Sequence, residues 1–175
     1  MPLLNFQIEF APAVIAGMRD ANRIYYNAFT EYNYSNVMNS SGLPFFKSEK
    51  DASIFEHSIH MSSDNPKRQT IRAMRKHSIK VGDTLYLYTG ARTKNCKKLG
   101  EVKCKAVYTI VINCNDYTIE YKDEISYMKI SNSNLEALLR FANADGFKTH
   151  EELFKFFKKN KSVKNGVFAG QLIMW

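Results

Sequence analysis

The stretch PKRQTIRAMRKHSIKVGDTLYLYTG, residues 66–90, decides the fold. Its VGD tripeptide at 81–83 is a turn signal, and the alternation that follows over Thr84–Thr89 predicts a half-buried β-strand. One face of that strand carries two leucines and the other carries two tyrosines: Leu85 and Leu87, then Tyr86 and Tyr88. The basic residues before the turn add a second property to the same stretch, because clustered cations attract an anionic partner.

Outward from this stretch, alternation and turn residues predict strands in both directions. They cover Leu3–Phe10, Glu101–Ile112, Tyr117–Tyr121, Glu124–Ile130 and Phe168–Trp175. Short helices are predicted from Ala11 to a stop at Gly17, over Asn134–Phe141, and after a capping box of Thr149 and Glu152. The pattern indicates an α+β protein of about six strands with short flanking helices, in the proportions of a small β-barrel.

The length of 175 residues suits one domain, 1–175. The chain is 45% apolar and 24% charged, which excludes wholesale disorder. Residues 18–66 differ in composition from the rest of the chain, because they combine many aromatic residues with Asn and Ser. We interpret them as an ordered insertion. The rest is expected to bury one core: Phe6, Ile8, Leu85, Leu87, Val102, Cys104, Leu139 and Phe156.

Several classes of protein and site are disfavoured. No stretch approaches the roughly 20 apolar residues of a membrane helix, and the N-terminus lacks a signal-peptide pattern, so no membrane partner is expected. The three cysteines form no CxxC pair, which favours reduced thiols and a cytoplasmic protein. His57 and His60 have no third ligand at a recognisable spacing, so neither a metal nor another cofactor is expected.

Positive charge is concentrated in one segment. The chain has 25 Lys and Arg against 17 Asp and Glu, a formal net charge of +8. Residues 66–105 hold twelve of these cations and two of the acidic residues, so this segment alone carries +10. A cluster of this kind with aromatic residues among it favours a phosphate-binding face for RNA, single-stranded DNA or a nucleotide. Solvated surface lysines and arginines are the alternative interpretation.

Four ordered motifs resemble a known family. They are KRQTIR at 67–72, IKVGD at 79–83, LGE at 99–101, and ANADGF at 142–147 with Glu152. With Gly17 they are similar to the ASCH domain, a branch of the PUA-like superfold, whose pattern is G-x-K-x-x-T-x-R, a Gly-Asp turn and a late Asp/Glu-Gly-Phe. The resemblance covers Met1–Gly17 and Pro66–Trp175 and implies a PUA-like small β-barrel. Residues 18–66 depart from the pattern, since they separate Gly17 from the run that normally follows it.

The resemblance implies a cleft lined by Lys67, Thr70 and Arg72. In the amidohydrolase branch of the family, a Lys, a Thr and a Glu hydrolyse the amide of N4-acetylcytidine, and the matching residues here are Lys67, Thr70 and Asp145. Thr70 would be the nucleophile, Lys67 its base, and Asp145 the acid that protonates the leaving amine. Arg72 would hold a base or phosphate. These residues are expected to converge on one pocket.

Two other classes of function stay open. PUA-like domains commonly bind RNA, and some ASCH proteins resemble ribonucleases. A binding module would use cations for phosphates and tyrosines for base stacking: Arg72, Arg75, Arg92, Lys94, Lys97, Lys98, Tyr86 and Tyr88. The third class is a phage-type interaction protein that meets a protein partner through residues 18–66.

Overall fold

The chain folds as a mixed α and β protein, as the sequence predicts. A computed structural model describes residues 2–21, 66–74, 78–94 and 96–175, with residues 19–21 described in backbone only. Within these ranges there are eight strands: β1 Leu3–Phe6, β2 Gln69–Ala73, β3 Thr84–Thr89, β4 Lys97–Lys103, β5 Ala106–Asn113, β6 Thr118–Lys122, β7 Tyr127–Ile130 and β8 Val167–Met174. The α-helices in these ranges are α1 Ala11–Ala21, α2 Leu135–Ala144 and α3 His150–Lys158.

The contacts divide the chain into two compact units. The first comprises Met1–Arg68 and Thr84–Lys103, and the second comprises Gln69–Asp83 and Cys104–Trp175. The first holds a three-stranded sheet in the order β1-β3-β4, and the second holds a five-stranded sheet in the order β2-β8-β5-β6-β7. Each sheet has two edge strands within the described ranges, so the predicted closed barrel is not seen there.

The sheet of the first unit confirms the strand predicted at its centre. β3 pairs parallel with β1 and antiparallel with β4. Leu85 and Leu87 are fully buried on its inner face, while Tyr86 and Tyr88 are half-buried on the other face. The period-two alternation therefore separated the two faces of this strand correctly.

Helix α1 runs past its predicted end. Gly17 is buried inside the helix, which continues to Ala21, so its prediction as a helix stop is wrong. The Lys67 amide donates to the Ala13 carbonyl at 2.9 Å, and a Cβ on Gly17 would overlap the Lys67 carbonyl oxygen. Glycine is thus required here because another backbone crosses the helix at this point.

The sheet of the second unit is entirely antiparallel and has helices on one face. Gln69 of β2 donates from Nε2 to the Phe141 carbonyl of α2 at 3.2 Å. The Phe157 ring of α3 lies 4.8 Å from the Phe168 ring of β8, measured between centroids. Ile71, which pairs with Leu172, shares this helix-facing side, whereas Thr70 and Arg72 alternate to the opposite side.

The predicted strand Glu101–Ile112 is wrong as a single element. β4 ends at Lys103 and β5 begins at Ala106. Between them the Cys104 amide donates to the Asp83 carbonyl at 2.9 Å, and its carbonyl accepts from the Gly82 amide at 2.8 Å. The turn at residues 81–83 therefore uses the backbone groups of Cys104 that a continuous strand would pair elsewhere. This division and the unpredicted β2 explain why there are more than six strands.

Both later helices begin within one residue of the predicted start, and α3 does so at its predicted capping box. Asn134 Oδ1 accepts from the Ala137 amide at 3.0 Å and caps α2. Thr149 Oγ1 accepts from the Glu152 amide at 3.3 Å and caps α3. The Glu152 carboxylate in turn accepts from the Lys148 amide at 3.0 Å, one residue before the cap. The Asn134 and Thr149 side chains thus accept hydrogen bonds from amides that the first helical turn leaves without a backbone partner.

Burial is predicted correctly at five of the core positions and wrongly at three. Phe6, Val102 and Cys104 are buried, as are the two leucines of β3. Ile8, Leu139 and Phe156 are exposed instead. Ile8 lies in a 3₁₀ turn after β1 rather than in the strand, and in each helix a nearby residue is buried in place of the predicted one: Leu138 and Phe154.

Residues 22–65, most of the predicted insertion, lie outside the described residues. The predictions for a helix, a lid or a protein-binding surface there stay predictions. Across the described ranges, none of the helices has both the length and the apolar character of a membrane span.

Candidate nucleic-acid interface

The outer face of the three-stranded sheet brings aromatic and charged side chains together. Its two central rows are Leu3–Tyr86–Glu101 and Asn5–Tyr88–Lys98, taken across β1, β3 and β4. Residues directly opposite in neighbouring strands point to the same side of a sheet, so each row lies on one face. We call these six residues the tyrosine face.

An irregularity in β4 places Lys98 and Glu101 on this same face. The register shifts between Leu87 and Tyr88, which pair with Gly100 and Lys98, so that Leu99 is an extra residue in β4. Leu99 is buried on the inner side of the sheet. Without this bulge, residues three apart in a strand would point to opposite faces.

Lys98 forms an ion pair with Glu101 and also lies over an aromatic ring. Its Nζ is 5.3 Å from the centroid of the Tyr86 ring. The hydrogen bond to Glu101 raises the pKa of Lys98 above its ordinary value, with burial acting in the opposite direction. Both side chains remain accessible to water, so this pair is weak and a stronger anionic ligand can compete for the ammonium.

A basic loop, residues 90–96, connects β3 to β4 beside the tyrosine face. Asn5 Oδ1 of β1 accepts from the Ala91 amide at 2.9 Å. Within the loop, the Thr93 hydroxyl donates to the Gly90 carbonyl at 2.7 Å, and the Cys96 amide donates to the Thr93 carbonyl at 3.1 Å. The first bond attaches the loop to β1 at the edge of the sheet, and the other two form turns within the loop.

The cations predicted for phosphate contacts lie on and beside this loop. Arg92 and Lys94 are exposed, and Lys97 is half-buried at the start of β4. Arg92 has a positive φ of 70°, an unusual conformation for a residue other than glycine. The structure thus places Arg92, Lys94, Lys97 and Lys98 in one unit, with both predicted stacking residues.

The three residues predicted to be catalytic are all buried. Lys67 is 3% exposed, Thr70 4% and Asp145 5%, and they make up half of the buried polar side chains in the described ranges. Lysine and aspartate are rarely buried to this extent in proteins unless they are paired or have a functional role. Its burial therefore distinguishes Lys67 from the exposed cations of residues 66–105.

Lys67 belongs to the first unit, where it lies against aromatic rings. Its Nζ is 5.2 Å from the centroid of Phe10 and 5.8 Å from that of Phe6. Ring faces attract an ammonium group through their quadrupole. The side chain thus lies against aromatic residues of the N-terminal strand and turn.

Thr70, Arg72 and Asp145 belong to the second unit. Thr70 and Arg72 share the face of β2 that points away from α2, opposite Ile173 and Gln171 of β8. Asp145 follows the last turn of α2, and its amide donates to the Ala142 carbonyl at 3.1 Å. Since Lys67 lies in the other unit, the convergence of the four residues on one pocket stays a prediction.

The remaining predicted site residue, Arg75, lies outside the described ranges. His57 and His60, where no metal was expected, also lie outside them. Among the described residues, no group of three or more His, Cys, Asp or Glu side chains is placed to hold a metal ion.

Sequence reasoning missed three residues of the tyrosine face: Leu3, Asn5 and Glu101. Glu101 stands three positions after Lys98, and ordinary strand alternation would place them on opposite faces; only the bulge brings them together. Asn5 carries no local signal for its bond to the basic loop, because its partner is 86 positions away. The glycine at position 100, unusual inside a strand, is the one signal that could have indicated the bulge.

Comparison with models of protein families gave no match, and comparisons with curated proteins and with solved structures gave none either.

Proposed function

We propose that the protein binds nucleic acid through the basic loop and the tyrosine face. The observation that carries this proposal is the arrangement of Tyr86, Tyr88 and Lys98 on the outer face of one sheet, next to a loop bearing Arg92 and Lys94. Cations bind phosphates and aromatic faces stack on bases, so this surface offers contacts to both the phosphate and the base of a nucleotide.

The attachment of the loop supports this function. Because Asn5 and the turn bonds of Thr93 hold the loop backbone, the residues that bear the exposed cations have a defined backbone conformation. A preorganised set of charges loses less conformational entropy on binding than a disordered tail would.

A salt titration tests the proposal. The basic-loop triple variant combines Arg92→Ala and Lys94→Ala in the loop with Lys97→Ala at the start of β4. We expect it to bind fluorescein-labelled RNA and DNA 20-mers more weakly. Its plot of log affinity against log salt concentration should be flatter by about 2, because each single-strand phosphate that a cation neutralises adds roughly 0.7 to the slope. The matched control is Lys155→Ala, Lys159→Ala, Lys161→Ala, which removes the same charge from exposed positions of the second unit. Equal slopes for the two triple variants would contradict a specific role for the loop.

We also propose the PUA-like fold and ASCH membership that the motifs imply. The contact between Gly17 and Lys67 supports it, because the two residues that the family pattern keeps close in sequence are close in space here despite 50 positions of separation. Location in the cytoplasm is part of the same proposal, and it is supported by Cys96, Cys104 and Cys114 being thiols.

Hydrolysis of an acylated cytidine is the second candidate function. It is favoured by the burial of all three residues that match the amidohydrolase positions, Lys67, Thr70 and Asp145. Thr70→Ala should abolish release of acetate from N4-acetylcytidine, whereas Thr70→Ser, which keeps a hydroxyl, should retain part of it. No turnover by the unaltered protein would exclude this function and leave the binding proposal standing.

A further inference from the structure

The spacing of the two tyrosines bears on the kind of nucleic acid that fits this face. Tyr86 and Tyr88 are two residues apart on one side of β3, which separates their Cα atoms by about 6.7 Å. Bases stacked in a duplex are only about 3.4 Å apart along each strand. Two neighbouring bases can therefore meet the two rings only when they are unstacked from one another.

The charges beside the tyrosines lie at both ends of β3. At its start, Lys103 pairs in register with Thr84 and donates from Nζ to the Thr84 hydroxyl at 2.8 Å. At its end are the exposed cations of the basic loop, Arg92 and Lys94. An aromatic centre between two cationic ends matches an extended strand whose bases rest on the rings and whose phosphates reach the cations.

We propose that the tyrosine face binds two consecutive unstacked bases of a single-stranded RNA or DNA and rejects duplexes. This rests on the proposed function, and it names the substrate class of that site. Tyr88 receives one base. Tyr86 receives the next once Lys98, whose ammonium lies over its ring in the unbound protein, moves to a phosphate.

The move of Lys98 is a small cost. Its pair with Glu101 is solvent-accessible, and accessible pairs contribute little to stability. A phosphate on the bound strand replaces the carboxylate as the partner of the ammonium, so the cation is paired before and after binding.

The test measures fluorescence anisotropy with labelled oligonucleotides of one sequence: a single-stranded RNA 8-mer, the DNA 8-mer and the corresponding duplexes. We expect at least tenfold tighter binding of the single strands. Tyr88→Leu and Tyr86→Leu should each weaken single-strand binding about tenfold, in the range expected for removing one base stack, and leave duplex binding unchanged. Tyr88→Phe keeps the ring and should bind normally. Tyr127→Leu, at an exposed tyrosine of the second unit, is the matched control.

Thermal unfolding of each variant shows whether it folds, and if the leucine variants do not, the comparison of single strands with duplexes on the unaltered protein still tests the inference. Equal affinity for single strands and duplexes, with Tyr88→Leu unchanged and the basic-loop triple variant impaired, would overturn this inference and leave the proposed function intact. Weaker binding by the tyrosine variants but not by the basic-loop variant would support the inference and contradict the role of the loop. Binding of none of the four oligonucleotides would contradict both.

Discussion

The two sheets differ in the solvent exposure of the polar side chains on the face that points away from their helices. The three-stranded sheet leaves its tyrosines, Lys98 and Glu101 accessible to solvent. The five-stranded sheet buries Thr70 and Gln171, although both lie on the side opposite α2 and α3. Accessible polar groups can exchange partners at little cost, whereas buried ones are tied to the stability of the fold. Substitutions should therefore change binding in the first unit and folding in the second.

Gly17 is the position of the first unit at which a substitution should affect folding most strongly. It belongs to the first unit, yet a methyl group there would overlap the Lys67 carbonyl oxygen. We expect Gly17→Ala to lower the free energy of unfolding by about 3 kcal/mol, because one backbone must move away from another. Thermal and urea unfolding measure the decrease. Gly82→Ala is the control: its φ is +88° but no atom lies within 4 Å, so only about 1 kcal/mol of conformational strain is expected. Equal decreases would argue against the overlap.

In the second unit, two adjacent leucines of α2 allow the contributions of a buried and an exposed side chain to stability to be compared. Leu138 is 0% exposed and Leu139 is 38% exposed. Leu138→Ala should cost about 3 kcal/mol of stability, since it leaves a cavity, while Leu139→Ala should cost less than about 1 kcal/mol. Chemical denaturation of the two variants measures both. A larger effect of Leu139→Ala would mean that α2 presents its other side to the sheet.

The buried thiol of Cys104 should make stability fall at alkaline pH. Burial raises the pKa of this thiol from 9.0 to about 11, with a further contribution from Asp83. Between these two values the unfolded chain has lost the proton that the folded protein keeps, so the free energy of unfolding decreases as pH rises. Denaturation at pH 8.5, 10 and 11 should show a smaller decrease for Cys104→Ala than for the unaltered protein. Cys96→Ala, at the half-buried cysteine of the basic loop, should keep the full decrease.

Glu101→Gln should have the smallest effect on folding and a measurable effect on binding. Glutamine leaves the Lys98 ammonium without a carboxylate competitor, so single-stranded oligonucleotides should bind about two- to fivefold tighter. Stability should change by less than about 0.5 kcal/mol. Glu120→Gln, which breaks the exposed pair with Lys129 in the second unit, is the control and should leave affinity unchanged. Weaker binding by Glu101→Gln would show that the carboxylate contacts the ligand.

Local patterns predicted much of the fold, because they reflect interactions within a few residues. The alternation of Leu85 to Tyr88 and the cap at Thr149 both depend on neighbours in the sequence, and both are confirmed. Non-local contacts were not predictable in this way. The division of the strand at Cys104 depends on a turn more than 20 positions earlier, and the role of Gly17 depends on a backbone 50 positions later.

The candidate site was predictable in residue type but not in arrangement. Charge and aromatic content indicated Tyr86, Tyr88 and Lys98 from the sequence, and the shared face of the two tyrosines follows from alternation. The partnership of Lys98 with Glu101 required a bulge that alternation cannot foresee. Helix periodicity predicted an apolar stripe on α3, but Phe154 rather than Phe156 is buried. The apolar residues at 153, 154, 156 and 157 are compatible with more than one choice of buried face.

The crossing of Gly17 and Lys67 has an evolutionary consequence. The chain departs along α1, and the described residue Lys67 is in contact with the same helix, so the described segments on either side of positions 22–65 meet each other. The entropy of closing a loop grows only logarithmically with its length. Segments of very different size can therefore be gained, lost or exchanged at this junction during descent, while the glycine that permits the crossing must be retained.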